Sequence, residues 1–261
     1  QLDAGTISRP EVLIGFSESV ENKANVLPVI DNCIVYQPTV STAGTPGADQ
    51  LVGAADADNF SALAGRDLLI GLGGDDILDG GEGLVTADYG GPRGRYSVVA
   101  QAGDLLVTDN GSADGIDTLI EVERLQFTDV NLAFDIDGNA GQGYRLYQAA
   151  FARTPDRPGL SFWIGALDGG SALLDVAQAF LGSAEFQGLY GANPTDVEFI
   201  SLLYLNVLNR LPDQSGYDFW IDAFDRGLSR AGALVEFSES AENQANLIGV
   251  LQQGIEYLPV V

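Results

Sequence analysis

A period of nine runs through residues 44–88 and restricts the fold more than any other feature of the chain. The units read GTPGADQLV, GAADADNFS, ALAGRDLLI, GLGGDDILD and GGEGLVTAD. Position six is Asp49, Asp58, Asp67 and Asp76, then Val85. Position eight is Leu51, Phe60, Leu69 and Leu78, then Ala87. Position four is Gly47, Asp56, Gly65, Gly74 and Gly83. Glycine reaches φ > 0 without steric cost, so each unit reads as a tight turn followed by a short strand. A Gly/Asp-rich flexible linker shares this composition, but it has no reason to hold an Asp and an apolar residue in one register four times over.

The register resembles the RTX nonapeptide, G-G-x-G-x-D-x-U-x, of calcium-binding parallel β-rolls. The resemblance implies that two units make one coil, so equivalent turns on one side are two units apart. Position eight then points inward and stacks in a ladder. Asp49 is paired with Asp67 and Asp58 with Asp76, beside the turn positions Gly47, Asp56, Gly65 and Gly74. Two carboxylates and turn carbonyls supply the all-oxygen shell of about 6–8 ligands that calcium takes, whereas magnesium demands stricter octahedral geometry. Departures limit the count. Asp56 stands at a glycine position, Ala62 opens the third unit, and the fifth unit has Val85 in place of Asp. Two complete calcium sites and a partial third are expected, in a roll short enough to need capping at both ends.

After Tyr89 the period stops. RYSVVAQAG, DLLVTDNG, DTLIEVERLQF and NLAFDI read as strands between Gly/Asn/Asp turns, and GIDTLIEVERLQFTD resembles the stretch that follows RTX repeats and caps the roll. Asp109, Asp114 and Asp117 read as turn formers, with extra calcium ligands as the alternative. Asp135 begins a D-x-D-x-N run like the start of an EF-hand loop. Ala140 and Leu146 stand where that loop needs Gly and Glu, so a linker with a helix N-cap is the reading.

A second pattern occurs twice: LYQAAFARTPDRPGLSFWIGALDGG from Leu146 and LYLNVLNRLPDQSGYDFWIDAFDRG from Leu203. Phe180, Ser183 and Glu185 recur at the same offset as Phe237, Ser240 and Glu242. Each copy reads as helix, R-x-P-D turn, helix, Gly stop, helix, with Asp156 and Asp213 as N-caps. Arg153 and Arg210 are placed to bond the turn carbonyls or that Asp. Trp163 and Trp220 read as core aromatics, with a sugar-stacking platform as the alternative. The block resembles the domain of unknown function that accompanies RTX repeats in secreted and surface-layer bacterial proteins. Its R-x-P-D-x-x-G-x-x-F-W motif is also similar to the phycobilisome linker repeat. Residues 7–38 align without gaps with 228–259, sharing FSES, EN-x-AN and Y-x-P. Gln1 is therefore read as lying inside an earlier copy of the helical domain, with an independent helical cap as the alternative.

The expected fold class is α+β multidomain. A helical segment covers 1–41, as the tail of a truncated helical domain. A short parallel β-roll covers 42–90 and a β cap or continuation 91–140. An all-α domain of two repeats with a C-terminal tail covers 141–261. With 12 basic against 37 acidic residues the net charge is −25, which argues against nucleic acid and anionic membranes and favours cations. The chain has no His and a lone Cys33, which removes Ser-His-Asp and Cys-His catalysis, zinc signatures and intrachain disulfides. No P-loop or G-x-S-x-G elbow occurs, and no apolar stretch is long enough to insert in a membrane. The chain reads as non-catalytic.

By resemblance it is an extracellular or cell-surface calcium-binding structural or adhesive module of a larger protein. It would be exported by the type I secretion machinery of a Gram-negative bacterium and fold on meeting calcium. Two alternatives stand beside it: the calcium-dependent accessory region of a secreted hydrolase, and a glycan-binding module. Self-association and cell-surface glycan are the partner classes considered besides calcium.

Overall fold

The computed structural model describes residues 41–101, 103–111 and 113–259. The expectations for residues 1–40, including the copy at 7–38 and Cys33, fall outside the described residues. The strands through the periodic block are β1 (Ser41–Ala43), β2 (Gln50–Val52), β3 (Asn59–Ser61), β4 (Ala64–Gly65), β5 (Leu68–Ile70), β6 (Ile77–Asp79), β7 (Glu82–Gly83) and β8 (Thr86–Asp88). Positions seven to nine of the five units are thus β2, β3, β5, β6 and β8. Odd units feed one sheet and even units the other, and every pairing among them is parallel. Leu51 lies opposite Leu69 and Phe60 opposite Leu78, so one full coil takes two units. Position eight faces inward: Leu51, Phe60, Leu69, Leu78 and Ala87 are all buried. Burying such a leucine or phenylalanine contributes about 1.5–3 kcal/mol, so this ladder holds the two sheets together.

β1 extends the stack by one strand ahead of the first unit, with Thr42 opposite Phe60. After β8 come β9 (Tyr96–Gln101) and β10 (Asp104–Asp109), an antiparallel hairpin. The chain then returns to the coil. β11 (Ile116–Ile120) runs parallel to β6 with Leu119 opposite Leu78, and β12 (Arg124–Gln126) runs parallel to β8 with Leu125 opposite Ala87. β13 (Asn131–Ala133) turns back antiparallel on β12. The hairpin covers the β11 edge of one sheet, because β10 pairs antiparallel with β11. It thereby withdraws that edge from pairing with other chains.

The helices are α1 (Asn139–Phe151), α2 (Arg157–Asp168), α3 (Leu173–Leu181), α4 (Ala184–Tyr190), α5 (Asp196–Leu208), α6 (Gln214–Asp225), α7 (Arg230–Ser238) and α8 (Ala241–Leu251). The last four repeat the first four in order, and all four pairs start at the same offset, that of Asn139 from Asp196. Asp156 and Asp213 cap α2 and α6 by accepting the Gly159 and Gly216 N–H at 2.8 and 2.7 Å. Arg153 and Arg210 grip Glu185 and Glu242, at equivalent places in the two repeats, from above the Tyr147 and Tyr204 rings. Trp163 and Trp220 are partly buried against this core, Trp163 edge-on to Phe180 and Trp220 stacked on Phe237. One difference from an all-α C-terminal region is β14 (Ile255–Tyr257), which pairs antiparallel with β13. Its alternation explains it: Ile255 and Tyr257 point in and Glu256 points out.

The described residues are therefore a mixed α/β structure with eight helices and several sheets, mostly parallel in pairing, none closed into a barrel. No helix among them is long and apolar enough to cross a membrane.

Candidate metal centre

Position six builds a ladder of carboxylates down each side of the coil. Asp67 Oδ1 accepts the Asp49 N–H at 2.8 Å, and Asp76 Oδ1 accepts the Asp58 N–H at 2.8 Å. Each bond spans one coil, which places Asp49 beside Asp67 and Asp58 beside Asp76 as the register requires. Asp58, Asp67 and Asp76 are buried, at 3%, 2% and 1% exposure, a depth that carboxylates reach only with compensation. Burial pushes Asp76 up to about 6, with Asp58 and Asp75 adding to the rise and the Asp58 N–H opposing it.

The second oxygens differ. Asp49 Oδ2 accepts the Thr45 N–H at 2.6 Å, and Asp58 Oδ2 accepts the Ala54 N–H at 2.7 Å. Asp67 Oδ2 and Asp76 Oδ2 are buried with no hydrogen-bond donor. An unpaired buried carboxylate oxygen asks for a cation. Backbone oxygens crowd the same turns. A Cβ on Gly65 would sit 2.5 Å from the Gly47 carbonyl and 2.9 Å from Asp67 Oδ1, and one on Gly74 would sit 2.7 Å from the Asp56 carbonyl. Gly65 and Gly74 have φ of 150° and 114°, which a side chain would strain. Carboxylate and carbonyl oxygens with glycine clearance suit a hard, oxygen-seeking divalent ion such as calcium. No group of three or more carboxylates, histidines or cysteines converges on a metal-sized point among the described residues. Backbone carbonyls and water must therefore make up most of any shell.

The ladder does not end with the nonapeptides. Asp117 Oδ1 accepts the Asp76 N–H at 3.0 Å, and Glu123 Oε2 accepts the Val85 N–H at 2.8 Å. These two stand at position six of the extra coil made by β11 and β12, and a count of nine misses them because the β9–β10 hairpin intervenes. The local signal was present: Asp117-x-Leu119 and Glu123-x-Leu125 repeat the D-x-U spacing of positions six and eight. Asp117 Oδ2 accepts the Tyr89 hydroxyl at 2.9 Å. Burial raises Asp117 to about 7 against the pull of its two hydrogen bonds. Both its oxygens are therefore occupied by donors.

Asp109, Asp114 and Asp135 are engaged by donors of the protein itself. Asp109 accepts the N–H groups of Gly111, Ala113 and Asp114 and is gripped by Arg95, which holds its carboxyl well below the usual range. Asp114 accepts the Tyr96 hydroxyl and is paired with Arg95. Asp135 pairs with the buried Arg124 at 2.7 Å and accepts the Ala140 N–H at 3.0 Å, so its carboxylate anchors the start of α1.

Against known families, residues 177–247 match the model described as Domain of unknown function (DUF4214). No curated protein matches the chain. Among solved structures, a crystal structure of extracellular lipase LipA from Serratia marcescens is similar at 19% identity and a TM-score of 0.34. The similarity covers 41% of this chain and spans 19% of the lipase chain.

Proposed function

We propose that residues 41–133 form a calcium-binding parallel β-roll, and that the chain is a non-catalytic structural or adhesive module of a secreted or cell-surface protein. The observation that carries this reading is the pair of buried carboxylate oxygens, Asp67 Oδ2 and Asp76 Oδ2, that have no donor inside a coil of two nonapeptides per turn. The family match over 177–247 supports the same company, since the helical block resembles a domain that travels with RTX repeats.

The energetics suggest a folding switch. Without a cation the aspartates of adjacent coils repel one another and the turns cannot close over them. Binding of an ion to the folded coil alone stabilises it by mass action. Extracellular calcium modules commonly have affinities of about 10⁻⁴–10⁻³ M, which would leave the coil open at cytosolic calcium and closed outside the cell. The test is a calcium titration of chelator-treated protein followed by far-UV circular dichroism and light scattering. A gain of β-signal supports the roll, and added scattering supports assembly between copies. A coil fully formed in chelator sinks the switch.

A second reading, glycan binding, has one observation in its favour. Phe219, Trp220, Arg226 and Glu236 line an open cleft of about 470 Å³. The expected support is glycan binding that is lost on Trp220→Ala while the helical circular dichroism is retained.

A further inference from the structure

The nonapeptide turns are of two kinds, and the difference lies at position two. In the first two units the position-two N–H donates to the position-six carboxylate of its own turn. Thr45 N reaches Asp49 Oδ2 at 2.6 Å, with the Thr45 hydroxyl on the same oxygen at 2.9 Å, and Ala54 N reaches Asp58 Oδ2 at 2.7 Å. In the next two units position two is Leu63 and Leu72, both left-handed, with φ of 77° and 71°. Gly81 keeps the same conformation in the fifth unit, with φ of 71°. Leucine is disfavoured there, so two leucines in one strained conformation at equivalent sites mark a constraint of the turn and not a local accident. Where the turn is left-handed the internal bond is missing, and the buried Asp67 Oδ2 and Asp76 Oδ2 lack a donor. Their Oδ1 atoms are fixed by the Asp49 and Asp58 N–H groups, so neither side chain can rotate away without breaking a bond.

We propose that calcium is taken by the turns 62–67 and 71–76, through Asp67 and Asp76, and that the turns 44–49 and 53–58 are closed by their own N–H groups and hold no ion. This rests on the calcium reading above and narrows it from four equivalent aspartates to two. The physical ground is compensation. A carboxylate oxygen that already accepts the N–H of its own turn gains little from a cation and must surrender that hydrogen bond to bind one. A buried oxygen with no donor gains the whole interaction.

The test is isothermal titration of calcium into the chelator-treated full chain, with near-UV circular dichroism of the same samples as a check on packing. Wild type is expected to take about two ions. Asp67→Asn and Asp76→Asn are each expected to lose one ion, and the double variant both. Asp49→Asn and Asp58→Asn are expected to keep the wild-type count, because an amide oxygen can still accept the position-two N–H. Loss of an ion in Asp49→Asn or Asp58→Asn with native near-UV signal overturns the assignment, as does retention of the full count in Asp67→Asn or Asp76→Asn. A wild-type chain that takes no calcium overturns the calcium reading itself.

Discussion

Tyr89→Phe probes how the carboxylate ladder ends. The phenol donates to Asp117 Oδ2 at 2.9 Å, and both residues are buried. Phenylalanine keeps the ring contacts with Tyr96 and Phe127, at 5.0 and 5.6 Å between centroids, and removes only the donor. A hydrogen bond to an ionised group is worth about 1.5–3 kcal/mol, and one to a neutral group about 0.5–1.5 kcal/mol. Asp117 is raised to about 7 by burial, so it is mostly protonated well below that pH and ionised above it. The cost of the substitution should therefore grow with pH, from about 1 kcal/mol near pH 5.5 to about 2 kcal/mol or more near pH 8.5. The wild type has its own slope. A carboxyl with a raised folded pKa binds more protons folded than unfolded, so stability falls as pH rises from about 4 through about 7, by at most about 4 kcal/mol from this group. Urea denaturation of both proteins in saturating calcium at the two pH values measures the difference. A loss that is equal at both pH values would refute the pairing of a titrating Asp117 with the phenol. So would no loss at the higher pH.

Three further outcomes follow from the same geometry. Gly83→Ala places a Cβ 1.9 Å from the Gly65 carbonyl at φ 134°, while that carbonyl is held by Leu84 N–H at 3.1 Å; a loss above about 1 kcal/mol is expected in thermal unfolding. Asp156→Ala removes the α2 cap and should cost about 0.5–2 kcal/mol, with Asp156→Asn costing less because its amide oxygen still caps. Asp156 is lowered to about 2, first by the Tyr147 hydroxyl and then by the Gly159 N–H, so its contribution is present above about pH 4 and is lost as pH falls through about 2; acid titration of the wild type and Asp156→Ala should converge there. Val85→Asp restores the missing position six in a turn that already has the left-handed Gly81. The variant should be destabilised in chelator and recover in calcium with one more ion bound, and unchanged stoichiometry would argue against a left-handed position two as the mark of an ion-taking turn.

The period of nine made the strands of residues 44–88 legible, because a fixed D-x-U spacing can be satisfied only if every turn is the same length. It could not show β1, since Ser41–Ala43 carries no apolar residue at the inward position, where Thr42 stands. Nor could counting pass the hairpin. Asp117 is the rung next to Asp76 in space and Glu123 the rung next to Val85, although the whole of β9 and β10 separates them along the chain. In the helical block the repeat spacing carried the architecture, and the matched residues have mechanical roles: Arg153 on Glu185 and Arg210 on Glu242 tie each helix turn to the start of α4 or α8. The strand β14 was hidden because three residues of alternation are too short to stand out after a helical repeat.

Along the coil the position-six carboxylates are satisfied in different ways. Asp49 and Asp58 use the N–H groups of their own turns, and Asp117 uses a phenol and the Asp76 N–H. Asp67 and Asp76, between them, have one oxygen each without a donor. Sequence identity at position six does not distinguish these cases, because all five residues are aspartate. The distinction comes from φ at position two and from a tyrosine outside the repeat, both of which are properties of the folded chain. A substitution that swaps position-two conformation should therefore move the demand for a cation without touching any acidic residue. Leu63→Val, whose branched Cβ disfavours positive φ while keeping the position-two N–H that can close on Asp67, is the sharpest case: it should weaken ion binding at Asp67 while leaving Asp76 competent. Loss at both turns would mean that the two sites fold as one unit and not turn by turn.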